Sequence, residues 1–310
     1  MKTAIVGAGI NGLYLARHLS KKGHEVFVFE KRNKIGKEAC SGLFSQRILD
    51  FIPQSRGLIQ NEINSALIHF PKKTVKVIFS KKFFVMSHFE LDNLLAGLAE
   101  KAGVKIALNH SIADVSSLKD FERIIGCDGP NSAIRKSLGA KDFEIRLAVQ
   151  GFLQKKDDSD FVETWPINQG FIWRIPRGEE VEYGAIGKAK EVKTIFDGFL
   201  KKNNLALERI VSAIVPYGFL FSSKKEITLC GDAAGLCKPW SGGGVVWGLI
   251  AANMLLKNFP DFIKYKKAVK VFFIPRIILS KIAVRLVYFF GFHFSWILPK
   301  RIKMESDFLF

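Results

Sequence analysis

The sequence predicts an α/β protein in which a parallel-sheet domain is built from both ends of the chain and an antiparallel sheet is inserted between them. Three observations lead there. A glycine-rich turn joins a strand to a helix at the N-terminus, residues 143–187 alternate apolar and polar side chains, and a buried strand with a second glycine-rich helix start returns near residue 230. The 310 residues suffice for about two domains of roughly 150 residues each. With 48% hydrophobic and 25% charged residues, the chain is neither disordered nor fibrous.

The elements follow in order. Lys2 to Val6 is a short apolar strand, and Gly7-Ala8-Gly9-Ile10-Asn11-Gly12 is the turn after it. Leu13, Ala16 and Leu19 mark one face of a helix that Gly23 ends, and Glu25 to Glu30 is the next strand. Residues 31–60 read as irregular. From Ser65 to Met86 the pattern is of strands broken at Pro71-Lys72-Lys73 and Ser80-Lys81-Lys82. Leu91, Leu94, Leu95 and Leu98 place a helix over Phe89 to Ala102. Val104 to Ala107, Arg123 to Ile125 and Ile227 to Cys230 are further strands, the last followed by a helix start at Gly231. Met1 runs directly into the first strand, so no cleavable leader is expected.

Composition narrows the chemistry. Cys40, Cys127, Cys230 and Cys237 form neither a C-x-x-C pair nor a zinc spacing, and His69, His110 and His293 stand alone, so no metal site and no disulfide scaffold is expected. The net charge of +18 points to an anionic partner. Nucleic acid is disfavoured because no binding motif accompanies the charge. Residues 262–298 are rich in Phe, Ile, Val and Leu, and Lys266, Lys267, Lys270, Lys281 and Arg285 share one arc of a helix that Pro275 should kink. The longest uncharged apolar stretch, Leu286 to Pro299, is shorter than the ~20 residues of a spanning helix. A basic edge on an apolar helix suits an anionic membrane surface, or else a core helix with a solvated edge.

Gly7-x-Gly9-x-x-Gly12 between strand and helix is a dinucleotide signature. The first glycine permits the turn, the second a close approach by pyrophosphate, and the third helix packing on the strand. Glu30, at the end of the second strand, is placed to hold ribose hydroxyls. Two distant pieces extend the pattern: Asp128-Gly129-Pro130-Asn131-Ser132 after one strand, and Gly231-Asp232 after another, continuing to Gly242-Gly243-Gly244. Asp232 can accept hydroxyls of a polyol chain, and the bare glycine amides suit a flat ring with partial negative charge. Taken singly, each piece is also compatible with an N-cap Asp or a plain glycine loop.

In this order the motifs resemble the FAD-binding fold of the para-hydroxybenzoate hydroxylase superfamily, and within it the geranylgeranyl reductase family. Cys40-Ser41-Gly42-Leu43 resembles that family's Cys-x-Gly segment, Phe171-Ile172-Trp173-Arg174-Ile175-Pro176 its Tyr-x-Trp-x-Phe-Pro signature, and Pro239-Trp240-Ser241-Gly242-Gly243-Gly244 its Pro-x-(Ser/Thr)-Gly-Gly-Gly stretch. The resemblance covers about residues 1–255 and implies a Rossmann-like FAD-binding domain with an inserted antiparallel-sheet substrate domain and a C-terminal helical tail. The implied boundaries are 1–142 with 216–257 for the FAD-binding domain, 143–215 for the inserted substrate domain, and 258–310 for the tail.

The resemblance also implies roles. Gly7, Gly9, Asn11 and Gly12 would lie by the pyrophosphate, Glu30 on the adenosine ribose and Ile112 by the adenine. Cys40, Ser41 and Leu43 would line the flavin, with Cys40 the candidate catalytic residue. Asp128, Gly129, Gly231 and Asp232 would bind the cofactor, Asp232 at the ribityl chain, while Gly243, Gly244 and Val245 face the ring. The family's phosphate-contacting Arg is here His88, four residues before Asp92. Phe171, Trp173 and Ile175 would wall an apolar substrate tunnel, although an aromatic core strand would read the same way. The expected activity is FAD-dependent reduction of carbon–carbon double bonds in a geranylgeranyl-type prenyl lipid, in a cytoplasmic protein bound peripherally to the membrane. The electron donor is left open between NADPH and a reduced protein, and the oligomeric state is open. The rivals are a flavin monooxygenase or halogenase of the same superfamily and a non-catalytic flavin- or lipid-binding protein.

Overall fold

The computed structural model describes residues 1–222 and 224–309. In chain order the strands and α-helices are β1 (Lys2–Val6), α1 (Ile10–Lys21), β2 (Glu25–Phe29), β3 (Leu43–Ser45), α2 (Ile48–Phe51), β4 (Ile59–Phe70), β5 (Lys73–Met86), α3 (His88–Glu100), β6 (Lys105–Ala107), β7 (Arg123–Gly126), α4 (Ala133–Ser137), β8 (Glu144–Asp157), β9 (Phe161–Ile167), β10 (Gly170–Pro176), β11 (Gly178–Gly187), α5 (Val192–Lys202), β12 (Glu208–Tyr217), β13 (Ile227–Leu229), α6 (Val245–Asn258), α7 (Phe262–His293) and β14 (Arg301–Met304). They form two compact units, Met1–Lys37 with His88–Glu144 and Pro216–Ile277, and Glu38–Ser87 with Ile145–Val215 and Ile278–Phe310.

The first unit is a Rossmann-like fold around a five-stranded parallel sheet of order β13-β7-β1-β2-β6. β1 is a central strand flanked on both sides, so its apolar run is buried throughout from Thr3 to Val6. Strand order reverses at β1, and in such sheets the crevice beyond that strand's C-terminal end is where ligands bind. α1 buries Leu13, Ala16 and Leu19 and ends before Gly23, whose φ of +82° only glycine adopts freely. α6 is apolar nearly all round because it is buried, and Tyr14 Oη donates to Asn253 Oδ1 at 2.7 Å to join it to α1.

The second unit holds a nine-stranded sheet of order β12-β8-β11-β10-β9-β4-β5-β14, with β3 beside β5. β8, β11, β10 and β9 form the antiparallel sheet that alternation predicts, with β8 returning beside β11. The whole sheet is mixed, because β4 pairs β9 in parallel and β14 pairs β5 in parallel. Two expectations change as a result. Residues 38–87 sit with this sheet rather than with the nucleotide fold, since β4 shares its ladder with β9. β5 also runs through Ser80-Lys81-Lys82 unbroken, the irregularity being absorbed as a bulge where Ile63 faces Phe83 but Ser65 faces Ile78. One face of the sheet packs Ile63, Val77, Phe83, Val85, Trp173 and Ile175 together, and α5 covers another cluster through Val192, Phe196 and Leu200.

The tail is not helical to its end. α7 continues through Pro275 for 32 residues, and β14 then extends the sheet through Arg301-Ile302-Lys303-Met304 against Lys76–Phe79 of β5. Asp307, fully buried, anchors this segment by accepting from Ser45 Oγ at 2.5 Å and pairing with Arg47 Nε at 3.1 Å. Within the second unit α7 leaves Ile278, Leu279, Ile282, Leu286, Phe289 and Phe292 exposed, and Trp296 beyond it is 77% exposed. No described helix is long and apolar enough to cross a membrane.

Candidate functional site

The glycine turn shows three different reasons for glycine. Gly7 sits at φ +105°, and a Cβ there would lie 2.4 Å from Cys127 O on β7's continuation. A Cβ on Gly12 would lie 2.1 Å from Gly7 O, so α1 can pack this closely on β1 only without a side chain. Gly9 is the opposite case, with nothing within 4 Å of its would-be Cβ. It is the N-cap of α1, with no side-chain cap and no acidic residue in the first turn. The first amides of α1 therefore face open space with the positive end of the helix dipole, which is an anion site.

Around that site Glu30 is buried. Its Oε2 accepts from Ala8 N at 2.9 Å and its Oε1 from Arg32 N and Nε at 3.1 and 3.0 Å, which fills Oε1 and leaves Oε2 one lone pair for a hydroxyl. The segment after β6 runs beside it, with His110 N donating to Glu30 O at 2.9 Å, and buried Ile112 follows two residues later. Asp232 stands half-buried after β13. A Cβ on Gly244 would touch its Oδ1 at 2.9 Å, and Lys37 Nζ is 3.7 Å from its Oδ2. Gly243, Gly244 and Val245 form the start of α6, again without a side-chain cap or an acidic first turn.

Three expected contacts point elsewhere. The Asn11 side chain is wedged between Gly231 and Gly248, whose would-be Cβ atoms lie 2.3 and 2.5 Å from its Nδ2. Only its backbone amide remains for a pyrophosphate. Asp128 is committed to capping α4: Oδ1 accepts from Ser132 Oγ at 2.6 Å, and Oδ2 from the amides of Ala133 and Ile134 at 2.7 and 3.2 Å. Gly129, at φ +79°, makes the turn between them. The same cap presents buried Arg135, which donates to Ala233 O at 3.2 Å and so braces the Gly231–Asp232 turn. His88 is buried with its Nε2 3.5 Å from Asp92 Oδ1, and Asp92 Oδ2 accepts from Lys37 N at 2.9 Å. The cation beside Asp232 is thus Lys37, which the sequence reading did not single out. Behind the turn, a hydrogen bond to Cys230 and burial raise the Cys127 thiol well above the usual range, consistent with inert packing.

In the second unit, half-buried Cys40 and Ser41 precede Gly42 at φ +61°, and Leu43 opens β3 against the core cluster. Phe171, Trp173 and Ile175 share one face of β10. Trp173 and Ile175 are buried in that cluster and Phe171 lies half-exposed at its edge. Trp173 Nε1 donates to Glu182 Oε1 at 2.8 Å, and Arg177 Nη1 donates to Glu182 Oε2 at 2.6 Å. Burial raises the Glu182 carboxyl pKa despite the opposing pull of Arg177. Neither residue carries a motif. The only sequence signal was an acid within an apolar alternation on β11.

Residues 5–54 match a family model described as an NAD(P)-binding Rossmann-like domain. The digeranylgeranylglycerophospholipid reductase of Thermoplasma acidophilum is 27% identical, over 81% of this chain and 76% of its own. That of Methanothrix thermoacetophila is also 27% identical, with the same coverage. Among solved structures, a geranylgeranyl bacteriochlorophyll reductase-like protein from Thermoplasma acidophilum superposes with a TM-score of 0.80 at 22% identity, covering 92% of this chain and 86% of that one. The myxobacterial chondrochloren halogenase, an FAD-dependent halogenase, gives 0.70 at 14% identity, over 93% and 82%. In sequence the chain is similar to digeranylgeranylglycerophospholipid reductases, and in fold to the geranylgeranyl reductase-like protein.

Proposed function

We propose that this protein is an FAD-dependent oxidoreductase that reduces carbon–carbon double bonds of a geranylgeranyl-type prenyl chain in membrane lipid biosynthesis. The observation that carries the reading is similarity over four fifths of the chain to digeranylgeranylglycerophospholipid reductases. The residues fit FAD. Open space over Gly9 and uncapped α1 amides suit a pyrophosphate, and Oε2 of buried Glu30 keeps a lone pair for ribose. When bound, FAD supplies a hydride for the alkene. The chain's own groups bind, orient and protonate. Gly7, Gly9, Gly12 and the Asn11 amide hold the phosphates, Ile112 backs the adenine and Asp232 accepts ribityl hydroxyls. Gly243, Gly244 and the Val245 amide face the ring. Cys40, with Ser41 and Leu43 beside it, holds the proton for the second alkene carbon. Phe171, Trp173 and Ile175 present the apolar surface for the prenyl chain. Asp128, Gly129, Gly231 and His88 serve by shaping the loops that carry these groups.

The lipid substrate agrees with a peripheral position on an anionic membrane. Lys281 and Arg285 are exposed on α7 beside the exposed apolar row from Ile278 to Phe292 in the second unit, and Lys267 and Lys270 are exposed on the part of α7 in the first. Each basic residue near such a surface contributes ~1 kcal/mol, falling with salt, and the apolar row adds a salt-resistant part. Flotation with anionic vesicles should therefore weaken in high salt without vanishing, and absence of flotation at low salt would refute the assignment.

The halogenase or monooxygenase reading is favoured by the fold likeness to the chondrochloren halogenase and by Phe171-x-Trp173-x-Ile175-Pro176. One anaerobic experiment separates the readings. The purified protein is reduced and mixed with digeranylgeranyl lipid, and flavin reoxidation is followed. Reoxidation with saturated lipid as product supports the reductase. Turnover only when oxygen is admitted supports the rival, and no redox change with any acceptor supports a binding protein.

A further inference from the structure

Three successive carbonyls at the Cys40 loop are each held by a buried donor. Cys40 O accepts from Gln150 Nε2 at 3.1 Å, Ser41 O from Arg177 Nη1 at 2.8 Å, and Gly42 O from Met86 N at 3.0 Å. Gln150, Arg177 and Met86 are all buried. Gly42 itself has no freedom to adjust, because a Cβ there would lie 2.2 Å from Met86 O and 3.0 Å from Arg177 Nη2. Behind Arg177 stands fully buried Glu182, whose other oxygen holds the Trp173 indole. The strand register explains why these side chains meet. Gln150 and Trp173 both lie opposite Gly184 of β11, and Glu182 lies opposite Ile175 two pairs along. A Cβ at Gly184 would lie 2.2 Å from the Trp173 ring, so the indole lies over the glycine on its way to Glu182.

We infer that Gln150 and the Arg177–Glu182 pair are positioning residues that fix the Cys40 thiol, and that through Glu182 they tie the Cys40 loop to the Trp173 strand. Burying a carboxylate and a guanidinium is costly, and a packed apolar pair would stabilise the sheet as well or better. Charge here has a geometric use. The guanidinium fork reaches a carboxylate and two backbone carbonyls at once, Ser41 O and Met86 O, which no apolar side chain can do. What the fixed thiol does rests on the reductase reading, but its fixing does not.

The test measures alkylation of Cys40 by N-ethylmaleimide in the FAD-loaded protein, with the site identified by mass spectrometry, beside the prenyl-dependent reoxidation rate. Gln150→Met keeps volume and removes the donor. Gln150→Glu restores a donor only when protonated. Arg177→Lys keeps charge and removes the fork. Relative to wild type at each pH, Gln150→Met and Arg177→Lys should change the alkylation rate about tenfold or more, since ångström displacements carry effects of this order. Gln150→Glu should return toward wild type as pH falls. Reoxidation should lose kcat with KM unchanged. Should Arg177→Lys fail to fold, the two Gln150 variants decide alone. Folded variants that alkylate within about twofold of wild type would overturn the inference. If the wild type shows no prenyl-dependent reoxidation, the functional reading fails, while alkylation still decides the positioning role.

Discussion

Gly9 and Gly12 belong to one motif, yet replacing each with Ala should have different consequences, one falling on FAD binding and the other on stability. At Gly9 the backbone is extended, with φ −89° and ψ 177°, and no atom lies within 4 Å of the added methyl. Alanine adopts that conformation without strain and narrows the unfolded ensemble by ~0.4–1 kcal/mol, but it is a poorer N-cap than glycine by a similar amount, so the apoprotein stability should change by less than ~1 kcal/mol. The same methyl stands where the pyrophosphate approaches the α1 amides, and excluding it should weaken FAD by at least ~1.4 kcal/mol, about tenfold. At Gly12 the methyl meets Gly7 O at 2.1 Å and Cys127 Cβ at 3.3 Å. Neither neighbour can yield, one being backbone and the other a Cβ fixed to the backbone, so α1 must move off β1 at a cost of ~1–3 kcal/mol or more. Apoprotein melting and FAD titration by flavin fluorescence read the two effects separately. A Gly9→Ala protein that binds FAD as tightly as wild type would refute the reasoning, because the open space over Gly9 would then have no ligand.

Asp232→Ala should weaken FAD by ~1.5–3 kcal/mol through loss of a charged acceptor, read by the same titration. Glu182→Leu leaves Arg177 buried without its counter-ion and should cost ~3–5 kcal/mol in urea unfolding, whereas Arg177→Met with Glu182→Leu should cost less than the single change. The raised Glu182 carboxyl also fixes a pH trend. Between its unfolded value of 4.5 and its higher folded value the native state holds the extra proton, so its stabilising contribution is full below that window. It is lost as pH rises through the folded value, and urea midpoints of wild type against Glu182→Gln across this range should show that slope. Asp307→Asn should lower the unfolding midpoint by the equivalent of ~1–3 kcal/mol, because Arg47 and Ser45 lose a fully buried anionic partner.

What the sequence made legible was what local patterns determine. The β1–α1–β2 entry is readable because strand, turn and helix follow one another within about thirty residues, and the antiparallel strands β8–β11 because apolar alternation recurs between turn signals. β14 was missed because four residues of basic and apolar alternation in a lysine-rich tail carry no weight until β5 lies beside them. The parallel pairing of β4 with β9 was missed for the same reason. Its partners are nearly a hundred residues apart, as in Ser65 with Phe161, and alternation does not encode which edge a strand joins.

The site divides along the same line. A motif transfers the identity of a residue but not the direction of its side chain. Asn11 and Asp128 occupy their motif positions, yet the amide turns inward between two glycines and the carboxylate turns back to cap α4. Packing decides both. Gly231 and Gly248 leave room for the Asn11 amide where any Cβ would collide with it, and the start of α4 offers amides that Asp128 satisfies. The groups that instead reach open or loop-forming positions, Lys37 beside Asp232 and Arg177 behind Ser41, lie in no motif. Their reach is set by the length of a flexible cation and by where a buried carboxylate or carbonyl waits for it. Sequence similarity at the level of motifs is therefore strongest evidence for the backbone turns that approach a ligand. The side chains that hold those turns have to be found in the packing around them.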